Sequence, residues 1–248
     1  MQCIGAVADT EQIENPTTCV YPMVIESDEL SMILNACKRH GVTMQSVIQA
    51  ASTISICELI VKAARERGIA DADIADSNVV CAVAMKQHLP AKSDISYVAA
   101  MIYPLVQDIN VPEFAREEKF WEFAQQVKQK LHTNSEFNMK LFVFFQSLFS
   151  GHAKALPKTR SNLLSFTNLG NCNYLNRDHS SGVKVTAHYS ASGEHVGGPV
   201  FANCITTLDN KMFWGAVYYT NVSTRELAAE YVKRAIGLVL KYSQEGYE

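Results

Sequence analysis

The stretch ACKRHGVTMQSVIQAA, residues 36–51, contains the end of one helix, a tight turn and the start of another helix. Gly41 accepts the left-handed backbone that ends many helices, and Thr43 is a favoured N-cap residue. Before the turn, Ser27 is predicted to cap a short amphipathic helix. The apolar residues of that helix lie on one face: Leu30, Ile33, Leu34 and Cys37.

The second helix is predicted from Thr43 to Gly68, and its apolar residues cover most of the circumference. A helix of this kind is buried on nearly all sides. The sequence therefore predicts a core helix directly after the turn.

On both sides of these two predicted helices, the sequence alternates between strand patterns and helical spacing. Residues 1–20 are predicted as an extended arm. Strands are predicted at 79–85, 95–103, 163–168, 182–189, 199–208 and 212–220, with a turn at Asp209-Asn210. Further helices are predicted at 112–134 and after a capping box at 223–226. The fold class is α/β (α+β), a mixed β-sheet covered by helices, with residues 1–248 in a single domain.

Composition restricts the partners. The chain has 248 residues, 48% of them hydrophobic, and a net charge of −3, which predicts no nucleic acid partner and no anionic membrane surface. The start has no basic region followed by an apolar run, and no stretch approaches the ~20 apolar residues of a membrane span. We therefore expect a cytoplasmic protein that does not enter a membrane. The seven scattered cysteines are expected to be buried thiols and not a disulfide framework or a metal site.

Four segments resemble one family. Residues 34–60 resemble the opening of the second half of condensation domains and alcohol acetyltransferases, in which an hGVT turn leads into a buried helix. Residues 79–90 are similar to the strand and R-x-x-L turn that follow it. LSFTNLG, residues 164–170, resembles the hSNLG strand end, and the hairpin at 204–219 resembles the hairpin near the family's end.

The chain thus resembles the C-terminal half of the coenzyme-A-dependent acyltransferase and condensation-domain superfamily. The resemblance implies a chloramphenicol-acetyltransferase-like fold, in which two halves meet around a solvent channel. It also implies that the other half supplies the catalytic His-x-x-x-Asp motif.

That motif is absent from this sequence, because none of its seven histidines is followed four residues later by Asp. His132 has Glu136 at this spacing, but the polar helix end around it favours a solvated pair. Acyl transfer on this scaffold needs a positioned imidazole as general base. No catalytic residue is therefore assigned.

Several side chains are candidates for contact with a ligand, each with a structural alternative. His188 and His195 flank a bend that faces the channel in the resembled family, but both could be strand-end histidines. Asn168 either meets a ligand or caps a turn. Trp214 and Tyr218 either stack on a ligand or pack in the core. The full set of predicted ligand-binding residues is Phe144, Phe145, Phe166, Asn168, His188, His195, Trp214 and Tyr218.

No phosphate-binding or dinucleotide fingerprint is present, so no nucleotide cofactor is predicted. The leading hypothesis is a non-catalytic protein that binds an apolar or aromatic small molecule, such as a pigment, as a homodimer. The alternative is the C-terminal part of a CoA-dependent O-acyltransferase whose catalytic His-x-x-x-Asp half is on another chain or missing. Only the alternative involves CoA. A third hypothesis, a scaffolding protein, predicts neither ligand nor activity.

Overall fold

The computed structural model describes residues 17–84, 102–137, 162–176, 182–191 and 198–245. Three short 3₁₀ turns accompany the regular elements, at Asp71–Asp73, Glu117–Lys119 and Asn173–Asn176. The helices and strands of the described residues are β1 Thr18–Ile25, α1 Ser27–Arg39, α2 Met44–Glu66, β2 Ser77–Ala84, β3 Ile102–Ile109, α3 Val111–Phe114, α4 Phe120–Phe137, β4 Asn162–Asn171, β5 Phe201–Leu208, β6 Lys211–Tyr219 and α5 Arg225–Gln244.

The six strands form one mixed sheet in the order β1-β6-β5-β4-β2-β3. Strands β2, β4 and β5 run parallel, and the other neighbours are antiparallel. This confirms the predicted mixed sheet covered by helices. The carboxyl ends of the three parallel strands lie at the same edge, where α/β sheets commonly bind ligands.

The main core lies between the sheet and the helices. It contains apolar side chains from α1, α2, α4 and α5 together with the inward-facing residues of the strands. At its centre, Asn203 of β5 accepts hydrogen bonds from Trp214 Nε1 at 2.9 Å and from the Tyr231 hydroxyl at 3.0 Å. Burial raises the pKa of the Tyr231 phenol well above its ordinary value. This network fixes α5 against the sheet.

Residues 182–191 lie against the other face of the sheet. The Tyr189 ring meets the Phe213 ring edge-on, with centroids 5.5 Å apart. A Cβ added at Gly215 would lie 3.2 Å from Val20 Cγ1 and 3.5 Å from the Ser190 carbonyl oxygen. Glycine at 215 therefore lets this segment lie close to β6.

Several predicted elements are confirmed. Thr43 caps α2, and its hydroxyl accepts from the Ser46 amide at 3.2 Å. Strand β4 includes the predicted run 163–168. Asp209 and Asn210 have φ of 48° and 59°, which is the left-handed backbone of a two-residue hairpin turn between β5 and β6.

Other predictions at the strands needed correction. The last three residues of the predicted arm at 1–20 belong to β1, an edge strand that pairs with β6, and residues 1–16 lie outside the described residues. Residues 182–189 do not form a strand; they lie across one face of the sheet, where the Tyr189 ring meets the Phe213 ring. The described strand β3 includes the last two residues of the expected 95–103 and continues six residues beyond them, whereas residues 95–101 lie outside the described residues. Pro104 lies inside β3. Proline lowers the expectation of a strand in a sequence, although an edge strand tolerates it.

Three helix boundaries also needed correction. Helix α1 begins at Ser27 itself, and the side chain of Glu29 accepts from the Glu26 amide at 3.2 Å. The cap of α5 is Thr224 and not Ser223, since its hydroxyl accepts from the Leu227 amide. The predicted helix 112–134 is divided into α3, a 3₁₀ turn and α4, and the bend lets Phe114 stack on Phe123.

Helix α2 also corrects the expectation about apolar length. Among the described residues it is the one helix long and apolar enough to cross a membrane, but 78% of its most apolar window is buried inside the fold. A helix buried to this extent belongs to the core of the fold. The apolar residues of this helix are interrupted by Ser, Thr and Gln, so no long unbroken apolar run is visible in the sequence, although the mean hydropathy of the helix is high.

No disulfide joins the six described cysteines, and five of them are buried. Burial raises the pKa of Cys37 to about 11 and that of Cys57 further. These thiols act as small apolar side chains at neutral pH. The cytoplasmic location stays a prediction.

Candidate functional site

The candidate site begins at Asn168, near the carboxyl end of β4. Its side chain is exposed, and Nδ2 donates to Gln45 Oε1 at 3.0 Å. Gln45 belongs to the first turn of α2, so this bond joins the strand end to the helix start. Gln45 Nε2 in turn lies 3.5 Å from Cys81 Sγ in β2. Two parallel strands and one helix therefore meet at this point.

One helical turn further along α2, Gln49 continues the same line of amides. Its Nε2 donates to Gln107 Oε1 of β3 at 3.2 Å. Gln49 is only 2% exposed, and its Oε1 has no hydrogen-bond partner among the described residues. We call Asn168, Gln45, Gln49 and Gln107 the amide row. The row extends from the exposed Asn168 to the buried Gln49, whose Oε1 can still accept a hydrogen bond.

The amide row contains no ionisable side chain. Its neighbour Cys81 is buried, which raises the pKa of the thiol to about 11, although the Gln45 hydrogen bond opposes the shift. Cys81 is therefore a thiol and not a nucleophilic thiolate at neutral pH. The row can bind a neutral polar group by hydrogen bonds, but it supplies no general acid or base.

Comparison with known proteins gives structural matches only. No family model and no curated protein matches the sequence. The trichothecene 15-O-acetyltransferase of Fusarium sporotrichioides superposes with a TM-score of 0.63 at 14% identity. The epimerization domain from the third module of tyrocidine synthetase B gives 0.58 at 12%, and the condensation domain of the monacolin K polyketide synthase gives 0.57 at 11%.

The chain has the fold of these condensation and acyltransferase domains. The matches cover 97%, 91% and 92% of this chain, but only 51%, 49% and 48% of the three matched chains. The chain thus spans about half the length of each condensation-fold neighbour. That it corresponds to the C-terminal half stays a prediction.

Three of the predicted ligand-binding residues lie in the core of this condensation fold. Phe166, Trp214 and Tyr218 are buried on the helix side of the sheet. The core-packing alternative accounts for Trp214 and Tyr218, and Phe166 shares that environment. A ligand could reach them only if the helices separated from the sheet. Asn168, by contrast, is exposed and belongs to the amide row.

His188 lies on the opposite face from the amide row. Its Nδ1 is 3.2 Å from Thr206 Oγ1 in β5, so it has a protein partner, as the structural alternative supposes. Ligand contact at His188 stays a prediction. Phe144, Phe145 and His195 lie outside the described residues. The structure therefore does not bring the predicted residues together into one pocket within the described part of the chain.

Sequence analysis missed Gln45, Gln49 and Gln107. A signal for the first two was available, since two glutamines four residues apart on an otherwise apolar, buried helix lie on one face. Gln107 carried no such signal, because its partner is 58 residues away along the chain. Within the described ranges, no group of three His, Cys, Asp or Glu side chains is placed to hold a metal ion.

Proposed function

We propose that the protein binds a small neutral molecule at the amide row and does not catalyse a reaction alone. The observation that carries this proposal is the line of four amides ending at the buried, unpartnered Oε1 of Gln49. A buried acceptor without a partner is destabilising by about 1–3 kcal/mol, so a donor that reaches it is favoured. The absence of a His-x-x-x-Asp motif from the sequence supports binding without chemistry.

The ligand would be apolar or aromatic with one hydrogen-bond donor, a description that includes many pigments. A ligand that is mostly apolar suits the site, because the amide row has no charge and the exposed side chain of Leu169 lies next to it in the chain. The donor group would pair with Gln49 Oε1 inside, and Asn168 would contact the outer end of the ligand.

Native mass spectrometry and an absorbance spectrum of protein purified from its source test this. We expect extra mass that denaturation releases, with absorption beyond the aromatic band if the ligand is a pigment. Gln49→Met, which removes the acceptor at similar volume, should weaken binding about tenfold. The matched control is Gln129→Met, at an exposed glutamine of α4. A bare wild-type chain would overturn the proposal.

A second candidate is a half of an acyltransferase that acts only with a complementary half. It is supported by the match of nearly the whole chain to about half of each structural neighbour. Its test is a co-purifying polypeptide that carries a His-x-x-x-Asp motif. The complex should release free CoA thiol from an acyl-CoA in the presence of an acceptor, and this chain alone should not. An inactive complex would count against this candidate.

A further inference from the structure

The orientation of the Asn168 side-chain amide is fixed by a backbone group two residues later. The Gly170 N–H donates to Asn168 Oδ1 at 2.9 Å. A backbone N–H is only a donor, so the atom that it meets must be the oxygen of the side-chain amide and not its nitrogen. Gly170 has a φ of 69°, a left-handed backbone that glycine adopts readily. The turn at Gly170 therefore decides which end of the Asn168 amide faces Gln45.

The orientation of Asn168 in turn determines that of Gln45. With its oxygen held by Gly170, Asn168 donates Nδ2 to Gln45 Oε1 at 3.0 Å. The nitrogen of the Gln45 amide then lies on the opposite side, where Nε2 is 3.5 Å from Cys81 Sγ. The sulfur of Cys81 is a weak acceptor. The three contacts therefore share one direction of donation, from Gly170 through Asn168 and Gln45 to Cys81.

One hydrogen of the Asn168 amide is left for a ligand. An amide nitrogen carries two hydrogens, and Asn168 Nδ2 donates one of them to Gln45. The second hydrogen has no acceptor among the described residues, and the side chain is exposed. Asn168 thus presents a donor at the exposed end of the amide row. The buried end presents the opposite kind of group, because Gln49 Oε1 is an acceptor without a partner in the described part of the chain.

We propose that Asn168 selects ligands that carry a hydrogen-bond acceptor at the end opposite their donor, an inference that rests on the proposed function. The ligand class is then a neutral, mostly apolar or aromatic molecule with a hydroxyl or amine at one end and a carbonyl oxygen at the other. A carbonyl oxygen suits Asn168 because it accepts and cannot donate. The amide row supplies no cation, so a neutral carbonyl is favoured over a carboxylate. In this arrangement Asn168 determines specificity, and Gly170 is a positioning residue.

The two ends of the amide row should differ in strength. A neutral hydrogen bond at the exposed Asn168 is expected to change affinity about three- to tenfold. Loss of the ligand's donor at Gln49 should have a larger effect, since the buried acceptor would then stay unpaired and out of contact with water. Gln49 therefore contributes most of the affinity, whereas Asn168 distinguishes between ligands that share the same donor.

Isothermal titration calorimetry with two matched probes tests the proposal. The compound para-hydroxyacetophenone carries a phenol donor and a ketone oxygen at opposite ends of one ring, whereas para-ethylphenol carries the phenol and no ketone. Wild-type protein should bind the ketone about fivefold more tightly. Asn168→Asp replaces the free N–H with an oxygen at nearly the same shape, so this preference should disappear. Gln49→Met should weaken both probes to a similar extent, because both carry the phenol.

Asn171→Asp is the matched control. Asn171 is exposed like Asn168, and its Oδ1 accepts from the Asn173 amide two residues later at 2.9 Å. The substitution adds the same charge at a neighbouring site without touching the bond to Gln45, so the preference for the ketone should stay as in wild type. Far-ultraviolet circular dichroism checks that each variant is folded. In wild type itself, NMR should show a larger shift of the Asn168 side-chain amide with the ketone than with para-ethylphenol.

Equal affinities of wild type for the two probes, or a ketone preference that persists in Asn168→Asp, overturn the role of Asn168. The proposed function still stands in that case, provided that Gln49→Met weakens both probes. A preference lost equally in Asn171→Asp also overturns this role, since added charge alone then accounts for the change. Binding of neither probe overturns the assigned ligand class, and the mass of the natural ligand then decides the proposed function separately. Probe binding that Gln49→Met leaves unchanged contradicts the proposed function and, with it, the selection by Asn168.

Discussion

The buried Asn203 and the surface asparagines Asn168, Asn171, Asn173 and Asn176 use the same side chain in opposite surroundings. Asn203 is fully buried, accepts from Trp214 and Tyr231, and donates Nδ2 to the Ser165 carbonyl at 3.3 Å. These surface asparagines are exposed or partly exposed and bind backbone groups close to them in space. The buried amide joins a helix to the sheet, whereas the surface amides order the end of β4, the 3₁₀ turn that follows it and the backbone at Val185. Burial decides how much stability each hydrogen bond contributes, because water replaces a lost partner only at the surface.

Removing the buried amide should have the largest effect. Asn203→Ala leaves the Trp214 indole and the Tyr231 hydroxyl as buried donors without their acceptor, so we expect a loss of about 3–5 kcal/mol in unfolding free energy. Urea unfolding measures it. Tyr231→Phe is the milder control and should cost about 1 kcal/mol, since Trp214 keeps its acceptor. A loss below about 1 kcal/mol for Asn203→Ala would contradict the claim that burial makes the hydrogen bonds of Asn203 contribute more stability than those of the surface asparagines.

Asn176→Ala should act locally. The change removes both hydrogen bonds to Val185, and we expect the Val185 amide to exchange with solvent at least about tenfold faster. Global stability should fall less than for Asn203→Ala. Hydrogen exchange measured by NMR resolves the site. Asn173→Ala is the matched control, because its bond goes to the hairpin turn; equal acceleration at Val185 in both variants would argue against separate roles.

His40 offers an intermediate case, since its ring is partly covered by Trp121 in a parallel stack with centroids 3.8 Å apart. Burial, and then the nearby Arg39, lower the pKa of His40 below its ordinary 6.5, although Glu245 opposes this. The unfolded chain therefore binds the proton more readily than the folded chain. Stability is fully present above pH 6.5 and falls as the pH drops through and below that value.

We expect His40→Gln to remove the contribution of His40 to the loss of stability at acid pH. The effect should be smaller than that of Asn176→Ala. Urea unfolding at a series of pH values between about 8 and 5 measures it. An unchanged pH profile in His40→Gln would show that the stack does not influence titration.

The smallest effect is expected at Asn210, where the backbone conformation and not the side chain matters. Its φ of 59° follows an Asp209 that is also left-handed, and glycine is favoured at the second position of such turns. Asn210→Gly should stabilise the protein by about 0.5 kcal/mol, and Asn210→Val should destabilise it by about 1 kcal/mol. Thermal unfolding distinguishes the two. Equal stabilities would mean that the turn tolerates any residue.

The parts of the fold that sequence predicts well depend on contacts close together in the chain. The helix α2 was predicted to within two residues because Thr43, Gly68 and the apolar pattern between them act locally. The β5–β6 hairpin was predicted from Asp209-Asn210 for the same reason. In contrast, β1 was not predicted, because its eight residues show little alternation and are stabilised by pairing with β6, about 190 residues later in the chain.

The candidate site shows the same division. Asn168 was predicted from its place after a strand, and the structure places it at the exposed end of the amide row. Gln107 could not be predicted, because nothing in its own neighbourhood marks it before β3 is placed beside β2. Phe166 and Trp214 alternate along strands, and alternation alone does not say which face meets the helices.

By itself, the sequence determined the helix and strand types, the absence of the His-x-x-x-Asp motif, and a likeness in motif order to one family of folds. These follow from residue identity, spacing and local backbone preference. Only the tertiary structure decided which face of the sheet each aromatic ring occupies, which amides pair with each other, and where exposed apolar side chains lie. Those outcomes depend on pairs of residues far apart in the chain, whose contacts exist only once the sheet is assembled and the helices are packed on one of its faces.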